Sequence, residues 1–165
     1  MKISLIGLSE GLHTLNFVEK LAEFGVENQP HLHEDVKIQV DLEKRSPYYF
    51  LKNRVQVSGR FACDRCTDEF DRTVSDEWRA VFTSNKEMLA MNEADDIHYL
   101  APEAKEIDLT DEIRDMIVLG VPMKMLCSEN CRGLCAGCGA NLNTEACRCA
   151  PPAADLRWEA LRKLL

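Results

Sequence analysis

The chain has 165 residues, of which 45% are hydrophobic and 7% aromatic, and a formal charge of −8. That length suits one ordinary domain with enough apolar material for a real core. The negative balance excludes a broad electrostatic grip on phosphate backbones, and no apolar run approaches the about 20 residues needed to span a bilayer.

The acidity is local. Residues 60–126 carry sixteen acidic and eight basic side chains, while the segments on either side are close to neutral. The opening MKISLIGL meets Glu10 and His13 too soon to hold the apolar stretch of a secretion signal and reads as a first strand. The expected compartment is therefore the cytoplasm, where thiols stay reduced. LNFVEKLAEFG, Leu15 to Gly25, predicts a short helix: Phe17, Leu21 and Phe24 recur at helical spacing and Gly25 ends it. VKIQVDLEKR alternates, with Val36, Ile38, Val40 and Leu42 on one side, as a half-buried strand does.

Ser46-Pro47 breaks that strand. YYFLKNRVQVSGRFA extends from Tyr48, with Val55, Val57 and Phe61 inward and Gly59 marking a bulge or a close backbone approach. EFDRTVSDEWRAVFTS places Phe70, Val74, Trp78, Ala80 and Phe82 on one parity. Two long strands joined at CDRC are the result. Residues 83–104 read as an acidic connection with a short helix around Lys86–Met91. In EIDLTDEIRDMIVLGVP, Leu109, Ile113, Met116 and Ile117 form a helical stripe, Asp108 caps its start, and Gly120 and Pro122 stop it. After Pro151-Pro152, DLRWEALRKLL predicts a final helix capped by Asp155.

These elements imply an α+β fold: a mainly antiparallel sheet, a few short helices and a cysteine-rich, zinc-ribbon-like C-terminal segment. The expected domains are an α+β body over residues 1–122, containing the CDRC turn and the acidic connection, and a metal-binding tail with its helix over 123–165.

The tail holds Cys127, Cys131, Cys135, Cys138, Cys147 and Cys149. In CAGCGANLN, Cys135 and Cys138 can wrap a tight turn around one ion, with backbone N–H groups aimed at the sulfurs and Gly139 free to take a left-handed conformation. Cys147 and Cys149 can supply further ligands if a turn brings both sulfurs together. Cys127, Cys131 and Cys135 are spaced i, i+4, i+8, which a helix would place on one side, although Gly133 opposes it. Four thiolates saturate a tetrahedral zinc. One zinc with two spare thiols is the first expectation, and two ions sharing ligands the second.

Cys63 and Cys66 allow three roles: a second half-site completed by surplus tail cysteines, a redox pair, or a structural turn. No helix pattern follows CDRC to lower a thiol pKa, and Asp64, Asp68 and Glu69 oppose a thiolate. All four histidines lie upstream of the tail cysteines and no H-E-x-x-H motif occurs. The metal is accordingly expected to be structural and the protein non-enzymatic, with no catalytic residues. Arg132, Arg148, Arg157, Arg162 and Lys163 give the tail a basic character that suits contact with RNA.

CDRC at 63–66, the helix and cysteine run of residues 106–143, the CRC of 147–149 and DLRWEALRKLL together resemble the bacterial YceD family, large ribosomal RNA subunit accumulation proteins, over approximately residues 55–165. In that family the Cys-x-Arg-Cys element maps onto Cys63, Arg65 and Cys66. Some relatives lack the cysteine-rich tail, which implies that the two elements work apart. Asp155-Leu156-Arg157 departs from the family's usual Asp-Pro-Arg. The resemblance implies a role in accumulation or processing of large-subunit ribosomal RNA. It fits an adaptor for a ribosome-assembly or RNA-processing protein, or a factor that binds the ribosomal RNA precursor directly. A thiol redox enzyme using the CDRC pair is the third reading. If the elements are separate, Cys138→Ser is expected to loosen the tail far more than Cys63→Ser.

Overall fold

The computed structural model describes residues 1–27, 29, 31–33, 35–87 and 97–150. The chain divides into two units. One comprises Met1–Phe61 with Asp71–Met123, and the other Ala62–Phe70 with the chain from Lys124 onward. CDRC, expected with the body, therefore groups with the tail cysteines.

The first unit is built on a five-stranded sheet. Its strands are β2 (Gly11–Glu19), β3 (Val36–Arg45), β4 (Tyr48–Ala62), β5 (Glu69–Thr83) and β6 (Ile97–Tyr99), in that spatial order. β2–β3 and β3–β4 are antiparallel, and β6 adds in parallel to β5. Register follows from burying one parity: Ile38 faces Val55, Val40 faces Asn53 and Leu42 faces Leu51, all enclosed. Val36, Ile38, Val40 and Leu42 are buried as their alternation requires, as are Val55, Val57, Phe61, Val74, Ala80 and Phe82. Gly59 is a close approach: a Cβ there would lie 2.4 Å from the His31 carbonyl oxygen, so no side chain fits without a shift.

A separate two-stranded sheet pairs β1 (Lys2–Ser4) with β7 (Glu106–Asp108), with Ile3 opposite Ile107. Helix α1 (Thr110–Gly120) follows and buries Ile113, Met116 and Ile117. The N-cap is Leu109, which makes no side-chain cap hydrogen bond, rather than the expected Asp108; Asp108 stands one residue earlier and accepts from the Thr110 N–H across a short turn. Asp111 and Glu112 put negative charge on the first turn, where the helix dipole favours it.

The helix expected over Leu15–Gly25 is instead strand β2 followed by a 3-10 turn, Leu21–Phe24. His13, Leu15, Phe17 and Glu19 are half-buried while Leu12, Thr14, Asn16 and Val18 face out. Apolar residues on both faces hid this alternation, and nine residues of pairing with β3 outweigh the helical spacing of Phe17, Leu21 and Phe24. Gly25 does end the 3-10 turn, with φ +66°. Of the few short helices expected, α1 is the α-helix among the fully described elements. Most of the helix expected at Lys86–Met91, and all of the final helix from Asp155, lie outside the described residues.

Candidate metal centres

Among its described residues the second unit buries little hydrocarbon. Those enclosed are Cys63, Cys66, Met125, Cys131, Gly133 and Ala140, with Phe70 and Leu126 packed partly against the sulfurs. Its backbone is organised by two copies of one turn. In the first, the Cys63 N–H donates to the Asp68 carbonyl at 2.9 Å and the Thr67 N–H returns to the Cys63 carbonyl at 2.8 Å. In the second, the Cys135 N–H donates to the Ala140 carbonyl and the Gly139 N–H to the Cys135 carbonyl, both at 2.9 Å. The residue after the second cysteine is left-handed in each, Thr67 at φ +62° and Gly139 at φ +72°. The chain thus reverses within four residues and points both sulfurs of a C-x-x-C pair the same way.

Each turn meets a second pair of cysteines. Cys63, Cys66, Cys127 and Cys131 form one tetrad, and Cys135, Cys138, Cys147 and Cys149 another, with all sulfurs of a tetrad within 4.8 Å of one another. Sγ–Sγ distances are 3.7 Å for Cys63–Cys131, 3.6 Å for Cys66–Cys127, 3.4 Å for Cys135–Cys147 and 3.6 Å for Cys135–Cys149. A disulfide would bring sulfurs to about 2.05 Å. Four sulfurs bonded at about 2.3 Å to one tetrahedral ion stand roughly 3.8 Å apart. The spacing fits a single ion in each tetrad, and is too tight for a multi-iron cluster seated between the sulfurs.

Two sequence expectations change. No thiol is spare, because Cys127 and Cys131 leave the tail group and complete the CDRC half-site. Cys127, Cys131 and Cys135 do not share a helix, since residues 126–135 form turns and one isolated bridge at Leu134–Asn141. The two C-x-x-C elements also resemble each other more closely than their sequences suggest. Thr67 obscured the likeness by standing where a glycine would be the usual signal. Cys147 and Cys149, in contrast, do converge, and the Cys149 N–H donates to the Cys147 sulfur at 3.4 Å.

Neighbouring residues fix the first tetrad. The Asp64 N–H donates to the Met125 carbonyl, and the Met125 N–H to the Asp64 carboxylate at 2.6 Å. Asp64, expected to oppose a thiolate, thus anchors backbone instead. The Arg65 guanidinium donates to the Cys131 carbonyl at 2.9 Å, and the Arg65 carbonyl accepts from the Leu134 N–H. Gly133 passes so close to Arg65 that an added Cβ would sit 3.0 Å from its carbonyl oxygen, and at φ +72° that residue is held to glycine twice over. The Asn143 amide donates to the Cys131 sulfur at 3.3 Å. In the second tetrad, a Cβ on Gly137 would come 2.6 Å from the Cys149 sulfur, so glycine makes room for a ligand atom.

The charges at the sulfurs follow from these contacts. Burial alone would raise the Cys63 thiol, but N–H groups of Cys127, Cys66 and Arg65 aimed at its sulfur win and bring its pKa to about 6. Cys135 falls to about 6 through the N–H groups of Cys138 and Gly137. The Asn143 amide lowers Cys131 against the opposing effect of burial, and the Ala140 and Arg148 N–H groups lower Cys138. Their partners move the other way. Burial and the neighbouring sulfurs raise Cys66, against the pull of the Asp68 N–H, and burial and Cys131 raise Cys127. Cys149 is pushed up to about 12 by Cys135, Cys147 and Cys138. Each tetrad therefore mixes groups that ionise readily with groups that stay protonated until a cation arrives.

Metal capture must then expel protons from Cys66 and Cys127 in one tetrad and Cys149 in the other. Affinity rises with pH because proton and metal compete for the same sulfurs. Below about pH 6, Cys63 and Cys135 also take up protons and binding weakens further. Competitive chelator titrations between pH 5.5 and 7.5 are expected to show at least a tenfold gain in affinity per pH unit. An affinity independent of pH would contradict this ligand set.

A family model described as large ribosomal RNA subunit accumulation protein YceD matches residues 51–165, a stretch that contains both tetrads. The chain belongs to the YceD family. Two curated relatives carry the name large ribosomal RNA subunit accumulation protein YCED homolog 1, chloroplastic. The Zea mays protein is 50% identical over 58 residues, covering 34% of this chain and 20% of the relative. The Arabidopsis thaliana protein is 39% identical over 70 residues, covering 42% of this chain and 22% of the relative. The chain thus spans about a fifth of the length of these YceD-family relatives. No solved structure matches it significantly. Among the described residues, no helix is long and apolar enough to cross a membrane.

Proposed function

We propose that this protein is a non-enzymatic factor in ribosome biogenesis that supports the accumulation or processing of large-subunit ribosomal RNA, acting as an adaptor for an assembly or processing protein. Family membership supports the ribosomal role. The observation that carries the adaptor reading is that all eight cysteines fall into two four-sulfur sets. An ion bound by four protein ligands has no open position for water or substrate, as structural sites require and catalytic sites avoid. Zinc is the ion best suited to such tetrathiolate geometry. It would be held by Cys63, Cys66, Cys127 and Cys131 in one site and by Cys135, Cys138, Cys147 and Cys149 in the other, neutralising thiolates and fixing the fold. The low pKa of Cys63 belongs to a ligand set, and its 1% exposure gives a redox substrate no access. We place the protein in the cytoplasm, a reducing compartment where such thiolates persist.

The test is genetic. Deleting the gene in the source organism is expected to lower large-subunit ribosomal RNA relative to small-subunit RNA, and the intact gene to restore it. An unchanged ratio would remove the ribosomal reading. Ultraviolet crosslinking in the same cells separates the alternative of direct RNA binding, in which Arg132 and Arg148 would be the points of attachment.

A further inference from the structure

The first unit carries a groove of about 340 Å³ between β5, β6 and α1. Trp78 and Met116 line it, and Leu119, 81% exposed, stands at its edge. His98 closes one side, edge-on to Trp78 and stacked on Phe82 with ring centroids 4.8 Å apart. The wall is therefore rigid aromatic surface. The end of α1 lies against β5, where a Cβ on Gly120 would stand in ordinary contact 3.4 Å from the Asp76 Cβ. Val118, Leu119 and Met123 are all exposed on this end of α1 and just beyond it, although each would be stabilised by leaving water.

The rim is acidic. Asp76, Glu112 and Asp115 line it. Glu77 lies there too, but Lys52 and Arg54 neutralise it. Asp115 has Arg114 beside it at 3.5 Å. Among the described residues no cation pairs with Asp76 or Glu112, so the rim keeps a net negative charge over an apolar floor. We infer that this groove docks a basic amphipathic segment of a partner protein, inserting an aliphatic side chain against Trp78, Met116 and Leu119 while its lysines or arginines meet Asp76, Glu112 and Asp115. Nucleic acid is excluded as occupant by the rim's sign, and an acidic peptide likewise. The inference rests on the adaptor reading and names the class of protein the adaptor holds.

The probe is an 18-residue peptide of leucine and lysine at helical spacing, titrated into the full-length, metal-loaded, isotope-labelled protein. The expected result is saturable shifts of the Trp78 indole and α1 amide resonances, weakened at least tenfold by Leu119→Asp and by Glu112→Lys with Asp115→Lys, and by raised salt. The matching leucine–glutamate peptide is expected to leave them unmoved. These positions are exposed or half-buried, and an unchanged amide spectrum for each variant verifies its fold. Binding that is insensitive to the variants overturns the inference, as does displacement of the peptide by a single-stranded RNA oligonucleotide. If the peptide binds only after removal of residues 151–165, the occupant is the chain's own C-terminal segment and the foreign partner falls. In cells, a deletion that lowers large-subunit RNA but is fully rescued by Leu119→Asp sinks this inference alone. A deletion without effect sinks the ribosomal reading regardless of the groove.

Discussion

Cys63→Ser is expected to lower the metal content from two ions per chain to one and to loosen residues on both sides of a long sequence gap. Cys63 is buried and belongs with Cys66, Cys127 and Cys131, so its loss opens that tetrad on its enclosed side. Serine's hydroxyl is a poor ligand at neutral pH, and a structural zinc site of this type contributes about 10 kcal/mol of apparent binding energy to small modules. Native mass spectrometry should count one ion fewer. Amide exchange should accelerate across 62–70 and 124–134 while the second tetrad stays protected. Cys138→Ser should do the converse, freeing 135–149 and sparing CDRC. The expectation drawn from sequence is that Cys138→Ser loosens the tail far more than Cys63→Ser; with Cys127 and Cys131 beside CDRC, each substitution is expected to loosen its own part of it. Two ions retained in Cys63→Ser would refute the assignment of that tetrad.

Complete removal of metal should unfold one unit and leave the other. The first unit keeps a core of its own: Val36, Ile38, Val40, Leu42, Leu51, Val55, Ile113 and Ile117 are enclosed without help from any cysteine. Among its described residues the second has a core of sulfur, with Phe70 and Leu126 at its border. Without the cation the sulfurs lose what ties the two halves of each tetrad together, and the described residues of this unit bury too little apolar area to offset chain entropy. A strong chelator at pH 7.5 should therefore bring the amides of 62–70 and 124–150 to the exchange rates of an unfolded chain, with the β-sheet circular dichroism largely retained. Removal should be biphasic, the second tetrad first, because Cys138, Cys147 and Cys149 are exposed whereas Cys63, Cys66 and Cys131 are buried. Persistent protection of residues 124–150 in metal-free protein would mean that the fold does not depend on the ions.

What sequence could disclose was what is local. β3, β4, β5 and α1 each bury one side at their own period, so their alternation or stripe is visible without knowing their neighbours. The turn at Cys135–Gly139 was equally readable because Gly139 marks the left-handed position. β6 and β7 were not, since three residues carry no period and their pairing depends on distant strands. β2 was misread because Leu12 and Val18 on its outer face blurred the alternation. The ligand sets depended on which pairs meet in space. Cys127 and Cys131 lie beside Cys135 in sequence but across from CDRC in the fold, and Thr67 adopts a conformation that its residue type does not advertise.

The first tetrad draws its halves from far apart: 61 residues separate Cys66 from Cys127 and 68 separate Cys63 from Cys131. During synthesis, then, CDRC emerges as an unfinished chelate while β5, β6, β7 and α1 are still being made. Until the later cysteines arrive, the two thiols stand without the other half of their site, in the state most open to oxidation. Damage suffered in that interval would strike newborn chains and spare mature ones.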